Sequence, residues 1–143
     1  MEEKQMTKAE VYQFSNENPA FHLATVEGDQ PRVRGMFLFR ADEEGIIFHT
    51  ASTKDVYSQL KENAKAELCF NSPQKQVRVT GELVEVIDEQ LKEEIFNHPT
   101  RKFLQAWKDQ GIDGMLRIFR MKNGSAVEWT MATNFLPKEP IEL

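Results

Sequence analysis

"GIIFHTASTKDVYSQL", residues 45–60, joins two different periodicities. Gly45–Ala51 is a short apolar run bounded by turn-forming residues, the pattern of a buried strand. From Asp55 to Asn63 the apolar positions Val56 and Leu60 fall four apart, which is helical spacing. Between them stand Thr50, Ser52, Thr53 and Lys54. Ser52 or Thr53 can cap the helix. Lys54 in the first turn opposes the helix dipole, which favours anions at that end. Hydroxyls, free backbone N–H groups and an ammonium at one point also make a cradle for a phosphate. The junction therefore reads either as a plain cap or as an anion site.

Outward from this stretch the chain is mostly strand. "AFHLATV" (20–26) and "RVRGMFLF" (32–39) precede it, separated by the turn-forming "EGDQP", and "ADEE" separates the second strand from the third. "AELCFN" (66–71) and "QVRVTGELVEVI" (76–87) follow across "SPQK". "MLRIFRMK" (115–122) and "SAVEWTMA" (125–132) read as a last hairpin across Asn123-Gly124, a strong hairpin signal. Helices are expected over Thr7–Asn18, with Thr7 and Glu10 as a capping box, and over Asp88–Asn97 and Arg101–Gln110. In the second, Leu91, Ile95 and Phe96 share a face; in the third, Phe103, Leu104 and Trp107 do. The tail "LPKEPIEL" reads as a surface arm. Strands at short, regular intervals with few helices point to a mostly β, barrel-like single domain over residues 1–143.

Composition narrows the function. The chain has 143 residues, 40% hydrophobic and 29% charged, with a net charge of −5. That balance suits a globular domain and repels phosphate backbones, so no nucleic-acid partner is expected. No apolar run reaches the ~20 residues that span a bilayer, and the charged N-terminal stretch lacks a signal-peptide core, so no membrane partner is expected. One cysteine, Cys69, allows no internal disulfide and reads as a small buried hydrophobe. The economical expectation is a reduced, cytoplasmic protein. His22, His49 and His98 have no His or Cys partner at metal-ligand spacing, so no metal is expected. No nucleophile elbow, dinucleotide fingerprint or Walker lysine is present.

What remains is a set of residues that suits a phosphate and a planar ring. Arg34 shares a strand face with Arg32, Met36 and Leu38, and an arginine among apolar neighbours calls for a partner; a phosphate fits it bidentately. Gly35 is a strand glycine of the kind that admits close approach to the backbone. Gln76 shares a face with Arg78, where its amide could read the polar edge of a heterocycle.

In order and spacing, "FHLATVEGDQPRVRGMFLF", "GIIFHTASTKDVYSQLKENAKAELCF" and "KQVRVTGEL" resemble the pyridoxamine 5′-phosphate oxidase-like family of flavin-binding split barrels, and "SAVEWTM" resembles its last strand. The resemblance implies a six-stranded antiparallel split barrel of Greek-key type. It also implies a homodimer with FMN in two clefts between the subunits. By the same resemblance, Arg34 meets the FMN phosphate and ribityl chain, and Gly35, Met36 and Phe37 run beside the ring. His49 and Thr50 end the third strand there, Ser52, Thr53 and Lys54 form the phosphate turn, and Gln76 and Trp129 reach in from the partner subunit. His49 is a candidate proton donor; no catalytic residue is otherwise assigned. The chain departs from the true oxidase. Phe39 stands where that enzyme has a lysine, the phosphate turn is two residues shorter, and the C-terminal Arg–His pair that holds the vitamin has no counterpart. The expectation is thus a small FMN-dependent oxidoreductase, not the true oxidase, using a nicotinamide or flavin electron donor on an unassigned small-molecule substrate. A non-catalytic, stress-related flavin binder, a haem- or deazaflavin-binding barrel, and a ligand-free dimeric scaffold are the alternatives.

Overall fold

Strands dominate the chain and close on themselves. The structure is a computed structural model and describes residues 5–143, so the first four residues of the charged N-terminal stretch lie outside it. In chain order the elements are α1 (Lys8–Glu17), β1 (Ala20–Glu27), β2 (Gln30–Asp42), β3 (Gly45–Ala51), α2 (Asp55–Glu62), β4 (Lys65–Asn71), β5 (Lys75–Val86), α3 (Glu89–Phe96), a 3-10 segment (Pro99–Leu104), α4 (Gln105–Asp109), β6 (Leu116–Met121), β7 (Ser125–Thr130) and β8 (Ile141–Glu142). Six strands pair antiparallel in the closed circuit β1–β2–β3–β6–β5–β4, and β7 and β8 extend the sheet from β5. This is the mostly β split barrel that the sequence indicates.

Alternation explains how the barrel fills. Phe21 and Leu23 of β1, Leu68 and Phe70 of β4, and Val77 and Val79 of β5 point inward and are almost fully buried with Phe48 and Phe119. Phe21 stacks on Phe70 with ring centroids 4.9 Å apart. β3 is buried on both faces, which is why its sequence is an unbroken apolar run: Ile46 and Phe48 face the interior, while Ile47 packs outward with Ile118 beneath Leu91, Ile95 and Phe96 of α3. Two glycines sit where a Cβ would be crowded. Gly45 closes the β2–β3 turn at φ +123°, where a Cβ would lie 2.8 Å from the Met121 carbonyl. Gly81 sits where β5 changes neighbours from β7 to β6, and a Cβ there would lie 2.9 Å from Met121 Sδ.

Several expectations hold and several do not. Thr7 and Glu10 form the reciprocal capping box, with Glu10 N–H donating to Thr7 Oγ1 over 3.1 Å. The Asn123-Gly124 hairpin does not form. Asn123 does take a left-handed φ of 61°, but β6 and β7 are not neighbours: they pair with different halves of the bent β5. The third predicted helix is split, with Pro99 opening a 3-10 segment and Arg101 leaving helical geometry at φ −119°, ψ 26° before α4 begins. Leu104 is buried there, whereas Phe103 is 59% exposed. Cys69 is only partly buried, because the inward positions of β4 belong to Leu68 and Phe70 on either side. The tail is not a free arm: Ile141 pairs with Ala126 and is buried in the core. Among the described residues no helix is long and apolar enough to cross a membrane.

Candidate functional site

The Thr50–Lys54 junction lies at the mouth of a broad cleft. β3 delivers His49, Thr50 and Ala51 to its floor, and Lys54 follows at the start of α2. β1 and β2 supply His22, Gly35 and Phe37 along one wall; the 3-10 segment and α4 supply Thr100, Arg101, Phe103 and Trp107 along the other. The cleft has a volume of about 620 Å³. No aspartate or glutamate lines it, although the chain carries a net charge of −5. The acidic surface therefore gives way locally to two cations, Lys54 and Arg101.

Lys54 also borders a second depression of about 500 Å³, shared with Arg34, Gln59 and the first turn of α2. Arg34 thus reaches the junction, by way of β1 and not β3. It lies opposite Leu23, donates to the Leu23 carbonyl over 3.1 Å and to Thr25 Oγ1 over 2.8 Å, and donates to Gln59 Oε1 over 2.5 Å. These acceptors are all neutral, and burial lowers the guanidinium pKa while Asp55 offsets part of the effect. Neither Arg34 nor Lys54 takes part in an ion pair among the described residues. The expected side-chain cap on α2 is absent. Lys54 itself is the cap residue, and neither Ser52 nor Thr53 bonds the first turn. Instead the Ser52 amide donates to the Met115 carbonyl over 2.8 Å, which fastens the turn to the start of β6. Glu27 and Asp55 also line this depression, but neither forms an ion pair with Arg34 or Lys54, and an uncapped helix start beside two such cations is disposed toward an anion.

Two further observations concern the fit of a ring. A Cβ placed on Gly35 would meet nothing within 4 Å, so no internal packing requires this glycine and the space beside its backbone is open. Thr50 is 4% exposed and its Oγ1 has no hydrogen-bond partner among the described residues, which leaves a buried hydroxyl at the cleft floor. Phe37 is 56% exposed and lies along the wall. These features suit the backbone edge and face of a planar heterocycle.

Sequence reasoning missed Arg101. It is 2% exposed and donates from Nε to His49 Nε2 over 2.8 Å, from one terminal nitrogen to Thr100 Oγ1 over 3.0 Å, and from the other to the Leu38 carbonyl over 2.8 Å. Its guanidinium lies 5.6 Å and 5.4 Å from the ring centroids of Phe37 and Phe39. Apart from the adjacent Thr100, the hydrogen-bond partners are more than fifty residues away in sequence, so no local pattern announces the role. His49 in turn is held neutral: burial first, then the charges of Arg101 and Lys54, lower its pKa to about 4. With Nε2 accepting from Arg101, the ring proton is on Nδ1. An imidazolium proton donor, one role open to this histidine on sequence grounds, is therefore disfavoured.

Gln76 and Trp129 do not join the cleft. They face each other across β5 and β7, with Gln76 Nε2 donating to Asn71 Oδ1 over 2.9 Å and Trp129 Nε1 donating to Asn134 Oδ1 over 2.8 Å. In the sheet, β1 and β4 stand between β2 and β5. At ~4.8 Å per strand the Gln76–Trp129 pair is some 14 Å or more from Gly35 along the sheet. Arg34, Gly35, Met36, Phe37, His49, Thr50 and Lys54 are gathered around the two adjoining cavities; Ser52 and Thr53 form the turn beside them.

Comparison with known proteins agrees with the fold. The family model described as pyridoxamine 5′-phosphate oxidase matches residues 7–129. A pyridoxine/pyridoxamine 5′-phosphate oxidase of Chelativorans sp. is 33% identical over 95 residues, which are 64% of this chain and 46% of that protein. The chain spans about half the length of the curated relatives it matches. Among solved structures, a NimC/NimA family protein of Clostridium acetobutylicum superposes with a TM-score of 0.74 at 25% identity, covering 95% of this chain and 93% of its own. A pyridoxamine 5′-phosphate oxidase-related, FMN-binding protein of Nostoc punctiforme gives a TM-score of 0.66 at 16% identity, covering 98% of this chain and 91% of its own.

Proposed function

The chain belongs to the pyridoxamine 5′-phosphate oxidase family, and from that premise we propose that it binds FMN between two copies of itself and serves as a small flavin-dependent oxidoreductase. The observation that carries the reading is the uncapped start of α2, where Lys54 and Arg34 meet with no carboxylate paired to either. The phosphate of FMN would be held there by the two cations and the first-turn amides. The ring would lie along Gly35–Phe37, with the unpartnered Thr50 hydroxyl beneath it. A single phosphate turn with no dinucleotide-binding unit favours the mononucleotide.

Gln76 and Trp129 support the dimer in this reading. Within one chain they line neither cavity, so in this reading they reach the ligand from a second copy that brings its β5–β7 surface over the cleft. Cyclic two-fold symmetry would then create two equal sites.

A bound flavin supplies two-electron transfer, so the protein need not provide an acid or base for that step. The chain's own residues bind, orient and exclude water. Lys54 and Arg34 fix one end of the cofactor, and Phe37 and Phe103 wall the cleft with apolar surface. His49, neutral and bonded to Arg101, holds its ring proton on Nδ1. The electron donor is a reduced nicotinamide or flavin, and the electron acceptor is a small molecule that enters the same cleft. Oxidation of pyridoxamine phosphate itself is not proposed, since Phe39 occupies the place of the oxidase lysine and lies packed against His98 and Arg101.

Titration of the purified chain with FMN tests the reading. Quenching of flavin fluorescence at one FMN per chain is expected, followed by bleaching on anaerobic addition of NADH, NADPH or a reduced flavin. A chain that leaves FMN fluorescence unchanged would overturn it.

A further inference from the structure

Arg101 is a buried cation that the cofactor reading does not use. Its guanidinium has five N–H groups and spends three of them on neutral acceptors: His49 Nε2, Thr100 Oγ1 and the Leu38 carbonyl. One N–H on each terminal nitrogen remains without a partner among the described residues. No ion pair among the described residues includes Arg101, and the cleft it lines contains no carboxylate. A charge taken out of water without a counter-ion is costly, and its bonds to β2 and β3 show that it is held in place and not merely folded away.

The surroundings state what would satisfy it. Aromatic side chains line the same cleft: Phe37, whose ring lies 5.6 Å from the guanidinium, and Phe103, both more than half exposed, and Trp107. Such faces favour a flat, conjugated partner. One fixed positive charge with two spare donors matches one carboxylate, which a guanidinium fork takes in its own plane. A phosphate dianion would call for a second cation, and the other lining cation, Lys54, is the one committed to the cofactor.

We propose that the small molecule admitted to this cleft is a planar aromatic acid, docked through its carboxylate on Arg101 and stacked against Phe37 and Phe103. This assignment deepens the flavin reading and rests on it for the reaction, but not for the binding. It separates the chain from a phosphate-ester oxidase: the preferred ligand is a monoanion.

The experiment uses benzoate, benzamide and phenyl phosphate as probes, followed by calorimetry on the protein without FMN and by flavin absorbance on the FMN-loaded protein. Benzoate is expected to bind about tenfold or more tighter than benzamide, the preference of a hydrogen-bonded charge, and at least as tightly as phenyl phosphate. Arg101→Met should erase the benzoate preference, and Arg101→Lys should keep only part of it. Phe103→Ala, which removes an exposed ring outside the core, should weaken benzoate and benzamide together and serves if the Arg101 variants do not fold. Equal binding of benzoate and benzamide would overturn the assignment. So would a preference that survives Arg101→Met, or phenyl phosphate binding tenfold tighter than benzoate. FMN uptake is read separately in the same samples, so its failure marks the cofactor reading as wrong while the benzoate result judges Arg101.

Discussion

Arg101 donates a hydrogen bond from Nε to Nε2 of His49 across 2.8 Å, and this single contact fixes the electrostatics of the cleft floor. Protonation of His49 would set two cations against each other in a partly buried place. Burial first, then the charges of Arg101 and Lys54, lower its pKa from 6.5 to about 4. The unfolded chain binds the proton near pH 6.5 and the folded chain does not, so stability is full above that value and declines as the pH falls toward about 4. The loss attributable to His49 is on the order of 2–3 kcal/mol. His49→Gln keeps an acceptor for Arg101 but does not titrate. Urea unfolding of both proteins from pH 7 to pH 4 should show a shallower decline in the variant; parallel curves would remove the assignment.

Lys54 and Arg34 should separate in their effects on folding while agreeing in their effect on FMN. Lys54 is exposed and bonds no side chain among the described residues, so Lys54→Ala should leave the unfolding midpoint within experimental error. Arg34→Ala strips a donor from buried Gln59 and Thr25 and should cost about 1–3 kcal/mol of stability. Each variant should weaken FMN by roughly 1.5–3 kcal/mol, the scale of a hydrogen bond to a charged group, in fluorescence titrations.

Two glycines make a paired test. Gly45→Ala forces a Cβ against the Met121 carbonyl at an unfavourable φ and should lower stability by about 2 kcal/mol or more. Gly35→Leu adds a side chain to open space and should leave chemical denaturation little changed while abolishing FMN uptake. Unimpaired FMN binding by Gly35→Leu would place the ring elsewhere.

The parts of this architecture that obey local rules are legible in the sequence. The Thr7–Glu10 box, the β3 run and the Val56–Leu60 helix each depend on residues within a few positions of one another. Asn123-Gly124 makes its turn, but strand choice is tertiary: β5 bends at Gly81 and offers one half to β6 and the other to β7, which no two-residue signal encodes. Ile141 escapes notice because a single apolar residue in a proline-rich tail has no period. The junction from Thr50 to Lys54 could be read as a cap or a cradle, and the missing cap bond favours the cradle. Arg101 could not be read at all, since its meaning comes from His49 and Leu38, brought to it by the barrel.

The shared site between two copies is tested most directly by mixing defective subunits. Lys54→Ala damages the cradle and Trp129→Ala damages the surface that a second copy would lay over it; each variant alone should take up FMN poorly. Unfolded together and refolded, they should form mixed dimers in about half of all cases, each with one intact site and one doubly damaged site, restoring tight FMN binding to about a quarter of all sites. Recovery near that fraction, absent when either variant is refolded alone, is the expected result. A mixture that binds no more FMN than its components would contradict a site built from two chains.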